Sequence, residues 1–116
     1  FPGPPLTTFA LLVDTSQPQI VYAGTTTGVY LSKDGGHSWQ PIGRDSLSST
    51  VASLVSSPVE PDVLYVGAEH GGLFRSTDGG QHWQPWGLEG TSVYAILTDH
   101  TGTIWLGTDQ GIFRSP

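Results

Sequence analysis

Ser32-Lys33-Asp34-Gly35-Gly36-His37-Ser38-Trp39 returns farther along the chain as Ser76-Thr77-Asp78-Gly79-Gly80-Gln81-His82-Trp83, with Trp83 placed 44 residues after Trp39. A fixed period of roughly 20–50 residues marks a chain built from stacked copies of one small unit. The flanks repeat too. Apolar segments open each copy at Thr8–Val13, Val51–Val55 and Val93–Leu97. A second run follows at Ile20–Gly24, Val63–Gly67 and Ile104–Gly107, and a third at Gly28–Ser32, Gly72–Ser76 and Gly111–Ser115. The Asp-Gly-Gly turn leads to a fourth run, Trp39–Ile42 and Trp83–Trp86.

These runs are short, rich in Val, Ile, Tyr, Phe and Trp, and bounded by Gly, Pro, Asp and Ser, which reads as four strands, A to D, per copy. No window has a helical period with caps. Strands A to C are apolar at consecutive positions, so each sheet must be covered on both faces. A repeated four-stranded sheet with two buried faces is a β-propeller blade packed between neighbours. The expected fold is therefore all-β: propeller blades of four antiparallel strands, about three per chain, the last incomplete. The copies divide the chain into the tail of a D strand (1–6), blade 1 (7–43), blade 2 (44–87) and blade 3 lacking strand D (88–116).

Composition narrows the function classes. Charged residues make up 12% of the 116, against the usual quarter or so. The net charge of −6 repels phosphates and argues against a nucleic-acid partner. The chain has no Cys, which removes disulfides and thiolate metal sites. Its apolar runs are far too short for a membrane-spanning helix. There is no Met either, so Phe1 is expected to arise by processing or trimming from something longer.

The Ser-x-Asp-Gly-Gly-x-x-Trp tract between strands C and D resembles the Asp-box (BNR, sialidase-like) repeat of β-propellers. The segment Gly102-Thr103-Ile104-Trp105-Leu106-Gly107-Thr108 also resembles the repeats of two-component sensor propellers. Ser32, Asp34, Gly36 and Trp39 in the first box, and Ser76, Asp78, Gly80 and Trp83 in the second, read as structural. The carboxylates accept backbone N–H groups of their own turn. The glycine pairs supply positive φ where the chain reverses. The tryptophans are expected to bury against the adjoining blade.

Strand direction alternates, so the A–B and C–D turns share one face of the propeller and the B–C and D–A turns share the other. In the families resembled, ligands lie on the latter face, near the axis. That face is expected to carry Glu69, His70 and Asp109 from B–C turns, and Arg44, Asp45 and Glu89 from D–A turns. Glu69-His70 departs most from its sister turns, Thr25-Thr26-Thr27 and Thr108-Asp109-Gln110. A sialidase site needs three clustered arginines, but Arg75 and Arg114 occupy one repeat position between blades, leaving Arg44 alone near the axis. His37, His70, His82 and His100 lack metal-ligand spacing. No Ser-His-Asp set follows from position, and no cofactor or metal is implied.

The function expected is a non-enzymatic, extracytoplasmic or secreted propeller module that binds a protein or glycan, or builds an assembly. The alternatives are a fragment of an Asp-box glycoside hydrolase and the sensor region of a receptor. Three copies cannot close a ring of about 4–8 blades. The chain is expected to form a homo-oligomer, favouring a dimer that makes a six-bladed ring, with Phe1–Leu6 completing the partner's last blade. The other option is that the remaining blades of a larger propeller close it.

Overall fold

The computed structural model describes residues 7–14, 17–43, 49–60 and 62–115. The segments containing Phe1–Leu6, Arg44 and Asp45 lie outside the described residues. Eleven strands and no helix are found among the described residues. The first sheet contains β1 (Thr8–Val13), β2 (Val21–Thr25), β3 (Gly28–Ser32) and β4 (Gln40–Ile42). The second contains β5 (Val51–Ser56), β6 (Leu64–Ala68), β7 (Gly72–Ser76) and β8 (Gln84–Pro85), and the third β9 (Val93–Thr98), β10 (Ile104–Thr108) and β11 (Gly111–Ser115). Each sheet is an antiparallel meander in chain order. The three sheets stack as propeller blades without closing a ring.

The opening strands β1, β5 and β9 pack against one another in succession, so they line the inner side of the stack. Two apolar cores separate the sheets. Tyr22, Val29, Leu31 and Ile42 of sheet one meet Val51, Leu54, Val66 and Trp83 of sheet two. Tyr65 and Leu73 of sheet two meet Val93, Ile96 and Leu106 of sheet three. The consecutive apolar residues of the strands are thereby explained in the middle sheet, which has a neighbour on each side.

The joints require glycine at one repeat position. A methyl on Gly24 would sit 2.6 Å from Val51 Cγ1, and one on Gly67 2.7 Å from Val93 Cγ1. At Gly107, the third copy's equivalent, the nearest contact would be an ordinary 3.6 Å to Ala95. The glycine marks where a neighbouring sheet comes close, and sheet three has no such neighbour on that side.

One detail differs from the sequence expectation. The D strands begin at Gln40 and Gln84, one residue after the tryptophans, because Trp39 and Trp83 belong to the turn. The pairing sets Thr8 opposite Thr25 as Val93 is opposite Thr108.

All three inner strands carry a β-bulge near their start, between Thr8 and Ala10, Val51 and Ser53, and opposite Gly107/Thr108 in β9. The extra residues are Phe9, Ala52 and Tyr94. A bulge leaves one residue unpaired and re-aims its side chain. Ala52 keeps partial exposure although its sheet is flanked on both sides. This position thus faces solvent at the inner rim rather than a neighbouring sheet.

Candidate functional site

The two box turns are built alike. In the first, Ser32 Oγ donates to Asp34 Oδ1 (2.8 Å) and accepts from Gly36 N (2.8 Å). Asp34 accepts from Ser38 N (2.9 Å) and Ser38 Oγ (2.6 Å). In the second, Ser76 Oγ donates to Asp78 Oδ1 (2.8 Å) and accepts from Gly80 N (2.9 Å). Asp78 accepts from His82 N (3.0 Å), and His82 Nδ1 lies 2.7 Å from its other oxygen. The glycine pairs have φ of 73° and 98°, and 73° and 95°, supplying the left-handed backbone that these tight reversals require. Each box is tied to its own A–B loop, Gly35 N to Gln19 O (2.9 Å) and Gly79 N to Asp62 O (3.0 Å).

Hydrogen bonds from the Ser38 hydroxyl, then from its backbone and from Ser32, hold the Asp34 carboxyl well below the usual carboxylate range. At Asp78, desolvation pushes upward, but the bonds from His82 and Ser76 outweigh it and leave the carboxyl at about 2. Both boxes are therefore ionised at neutral pH with their oxygens engaged inside the turn.

The opposite face holds Glu69, His70, Glu89 and Asp109 of the sequence-nominated residues. β2–β3 turns through Thr26-Thr27, and β10–β11 through Asp109-Gln110. In both, a threonine hydroxyl locks the reversal. Thr25 Oγ1 accepts from Thr27 N (3.2 Å) and donates to Gly28 O (3.0 Å). Thr108 Oγ1 does the same with Gln110 N (3.0 Å) and Gly111 O (2.8 Å). The equivalent residue in β6 is Ala68, which has no hydroxyl. That turn runs Glu69-His70-Gly71, one residue longer, with His70 at a left-handed φ of 60°.

Ser92 links this turn to the next sheet. His70 N donates to Ser92 Oγ (2.9 Å), and His70 Nδ1 lies 3.4 Å from the same hydroxyl. Asp109 Oδ1 accepts from Ser92 N (3.1 Å), and Asp109 N donates back to Ser92 O (3.2 Å). Serine, histidine and aspartate meet here, but not as a nucleophile and its base. Asp109 holds the serine backbone instead of orienting the imidazole, and Ser92 is fully buried. The cluster is a structural knot that holds His70 and Asp109 on one serine, with Glu69 next to His70 in the chain, and all three are exposed.

Glu89 is exposed in the D–A turn Leu88-Glu89-Gly90-Thr91, closed by Thr91 N to Leu88 O (3.0 Å). That turn lies over Gly72, where any Cβ would strike the Leu88 carbonyl. Arg75 stacks over Trp86 at 4.6 Å and bonds Glu60 at 3.3 Å, and Arg114 stacks over Trp105 at 5.3 Å. Both arginines are committed to packing. Sequence reading missed Phe9 and Tyr94, the exposed aromatics on the bulges. It also missed Ser92, although Thr7, Thr50 and Ser92 stand at one repeat position before each inner strand.

A hollow of about 250 Å³ lies between sheets one and two on the box face, lined by Asp14, Tyr22, Glu60 and Asp62 among others. Burial, then the charges of Asp14 and Asp62, push the Tyr22 phenol upward. Among the described residues, no group of three His, Cys, Asp or Glu is placed to hold a metal.

Residues 74–85 match the BNR/Asp-box repeat, and residues 87–110 match the two component regulator propeller repeat. No curated protein matches the chain. Among solved structures, an ancestral GH74 enzyme aligns with a TM-score of 0.80 at 21% identity, covering 93% of this chain and 17% of that one. YCF48 from Cyanidioschyzon merolae aligns at 0.73 and 21%, covering 94% of this chain and 36% of that one. The extracellular domain of a hybrid two component system from B. thetaiotaomicron aligns at 0.70 and 22%, covering 95% and 15%. The chain thus spans a minor part of each, and the likeness establishes the propeller fold. No helix among the described residues is long and apolar enough to cross a membrane.

Proposed function

We propose that this chain is a non-enzymatic, extracytoplasmic propeller module that binds a glycan through the face carrying the B–C and D–A turns. The observation that carries the reading is the β6–β7 turn. It alone among the three described B–C turns lacks the locking hydroxyl, is longer, and presents Glu69 and His70 beside Asp109. A departure from the repeat is where a copied unit acquires a job of its own. Carboxylates and an imidazole suit sugar hydroxyls, and Tyr94 at the inner rim offers an aromatic face for stacking. Arg44 and Asp45 are assigned to the same face from the repeat alone. An extracytoplasmic setting accords with the extracellular sensor domain among the structural neighbours.

The test is binding to a panel of neutral oligosaccharides. Glu69→Ala and Tyr94→Ala should each weaken the best ligand about tenfold or more. Unchanged affinity in both variants sinks the reading, and binding to peptides in place of sugars makes the module a protein-binding one. A second reading is favoured by the GH74 likeness: a portion of a glycoside hydrolase whose two carboxylates are not both on this chain. Polysaccharide hydrolysis by the chain joined to blades that supply the second carboxylate, with none by the 116-residue chain alone, would select this reading over a binding module.

A further inference from the structure

The two internal joints act as templates for a third. At the front of each following sheet, an inner-strand aliphatic is buried: Leu54 and Ile96 are 5% and 9% exposed. Their counterpart on sheet one, Leu11, is 65% exposed. At the rear of each preceding sheet, Val29 and Leu73 are 1% and 4% exposed, while their counterpart Ile112 on sheet three is 82% exposed. Tyr22 and Tyr65 are buried at the rear, whereas Trp105 is open, and Leu97 is open where Leu12 and Val55 pack against cores. Among the described residues, sheet one therefore carries an open apolar front and sheet three an open apolar rear, the latter without a strand in the place of β4 and its Ile42.

Polar hooks follow the same logic. Thr50 Oγ1, ahead of β5, donates to Thr26 O in the preceding sheet's B–C turn (3.1 Å). Ser92, ahead of β9, accepts from His70 N in the turn before it (2.9 Å). Thr7 holds the same position ahead of β1 and is exposed, and the turn Asp109-Gln110 is the exposed counterpart at the rear. At the first joint Tyr22 O–H also donates to Gly79 O (3.0 Å), and Trp105 stands at the place of Tyr22. Its indole N–H is the donor available for the equivalent carbonyl, that of Gly35.

We propose that the front of sheet one docks on the rear of sheet three of a second copy, continuing the internal joint. Leu11 of one copy covers Ile112 and Leu97 of the other, and Thr7 engages the turn at Asp109-Gln110. A front of one kind meeting a rear of another is a heterologous contact, which either closes or grows into a filament. Counting the sheets of the described residues, two copies give six, within the range of about 4–8 at which propeller rings close, so the contact is made twice and growth stops. The occupant is a second copy because the front that these rear residues fit is present on every chain.

Mass in solution, by light scattering during gel filtration, tests this on the 116-residue chain. The expected particle contains two chains. Leu11→Glu should reduce it to one chain by spoiling the front, and Ile112→Glu by spoiling the rear, both with unchanged circular dichroism because these side chains are exposed in the single chain. Mixing the two variants should restore a two-chain particle, since one sound rear and one sound front remain between them. Leu97→Glu replaces Ile112→Glu if the latter fails to fold. A single-chain mass for the unaltered protein overturns the proposal. So does a species larger than two chains, a dimer indifferent to both charges, or a mixture that stays as single chains.

Discussion

Ser32 and Ser76 occupy the same place in two copies of one turn, both buried, both donating to an aspartate and accepting from a glycine N–H at nearly equal distances. Seven residues downstream of each, the copies part. Trp83 is 3% exposed and lies against Gly43 of the preceding sheet. Trp39 is only half-buried and bonds its own turn through Nε1 to Gly36 O (3.0 Å). The hydrogen bonds of the box serine and aspartate side chains are made within the eight residues of the turn and need no neighbouring sheet. The tryptophan is the part of the motif that stabilises a joint, and it does so only where a preceding sheet exists.

The sharpest way to break the comparison is to truncate both tryptophans. Trp83→Ala should cost about 3–5 kcal/mol, the usual price of emptying a large aromatic site. Trp39→Ala in the single chain should cost less, since Trp39 is only half-buried and meets no preceding sheet among the described residues. Urea titration followed by circular dichroism measures both, and equal losses would mean that the box tryptophan works locally. Next in size is the glycine at the close approach. Gly24→Ala and Gly67→Ala should each lower stability by about 1–3 kcal/mol through overpacking against Val51 and Val93. In the single-chain form that Leu11→Glu produces, Gly107→Ala should stay within about 0.5 kcal/mol, as surface changes do. Thermal melts of the three variants suffice.

The smallest difference lies in acid. Both box carboxyls are depressed in the folded state, so their contribution is complete above the ordinary carboxylate range near 3.8 and disappears as the pH falls through the folded value. Asp78, at about 2, should release first, because Asp34 is held lower by the Ser38 hydroxyl. In an acid titration followed by amide exchange, the N–H of His82 should lose protection at a higher pH than that of Ser38. The reverse order would mean that the histidine holds its carboxylate better than the serine does.

Much of the fold was legible because the box is a local device: Asp, two glycines and a tryptophan at fixed spacing determine a turn without reference to anything distant. Strand C, which ends on the box serine, was placed correctly at Gly28–Ser32 and Gly72–Ser76 for the same reason. The bulges were not legible. Phe9, Ala52 and Tyr94 sit in apolar runs where one extra residue leaves no compositional trace, and register is set by pairing with β2, β6 and β10. The candidate site was half legible. Glu69-His70 stood out as a departure, but the knot through Ser92 depends on two sheets meeting, which no local pattern encodes.

Ala68 carries a consequence of its own. In a molecule made by copying, most turns cannot change because a threonine oxygen stitches them shut. Where that oxygen was dropped, the loop gained length and a backbone twist without disturbing the strands on either side. The β6–β7 hairpin tip therefore has no threonine stitch of its own and is clasped from outside, by Ser92 of the next sheet.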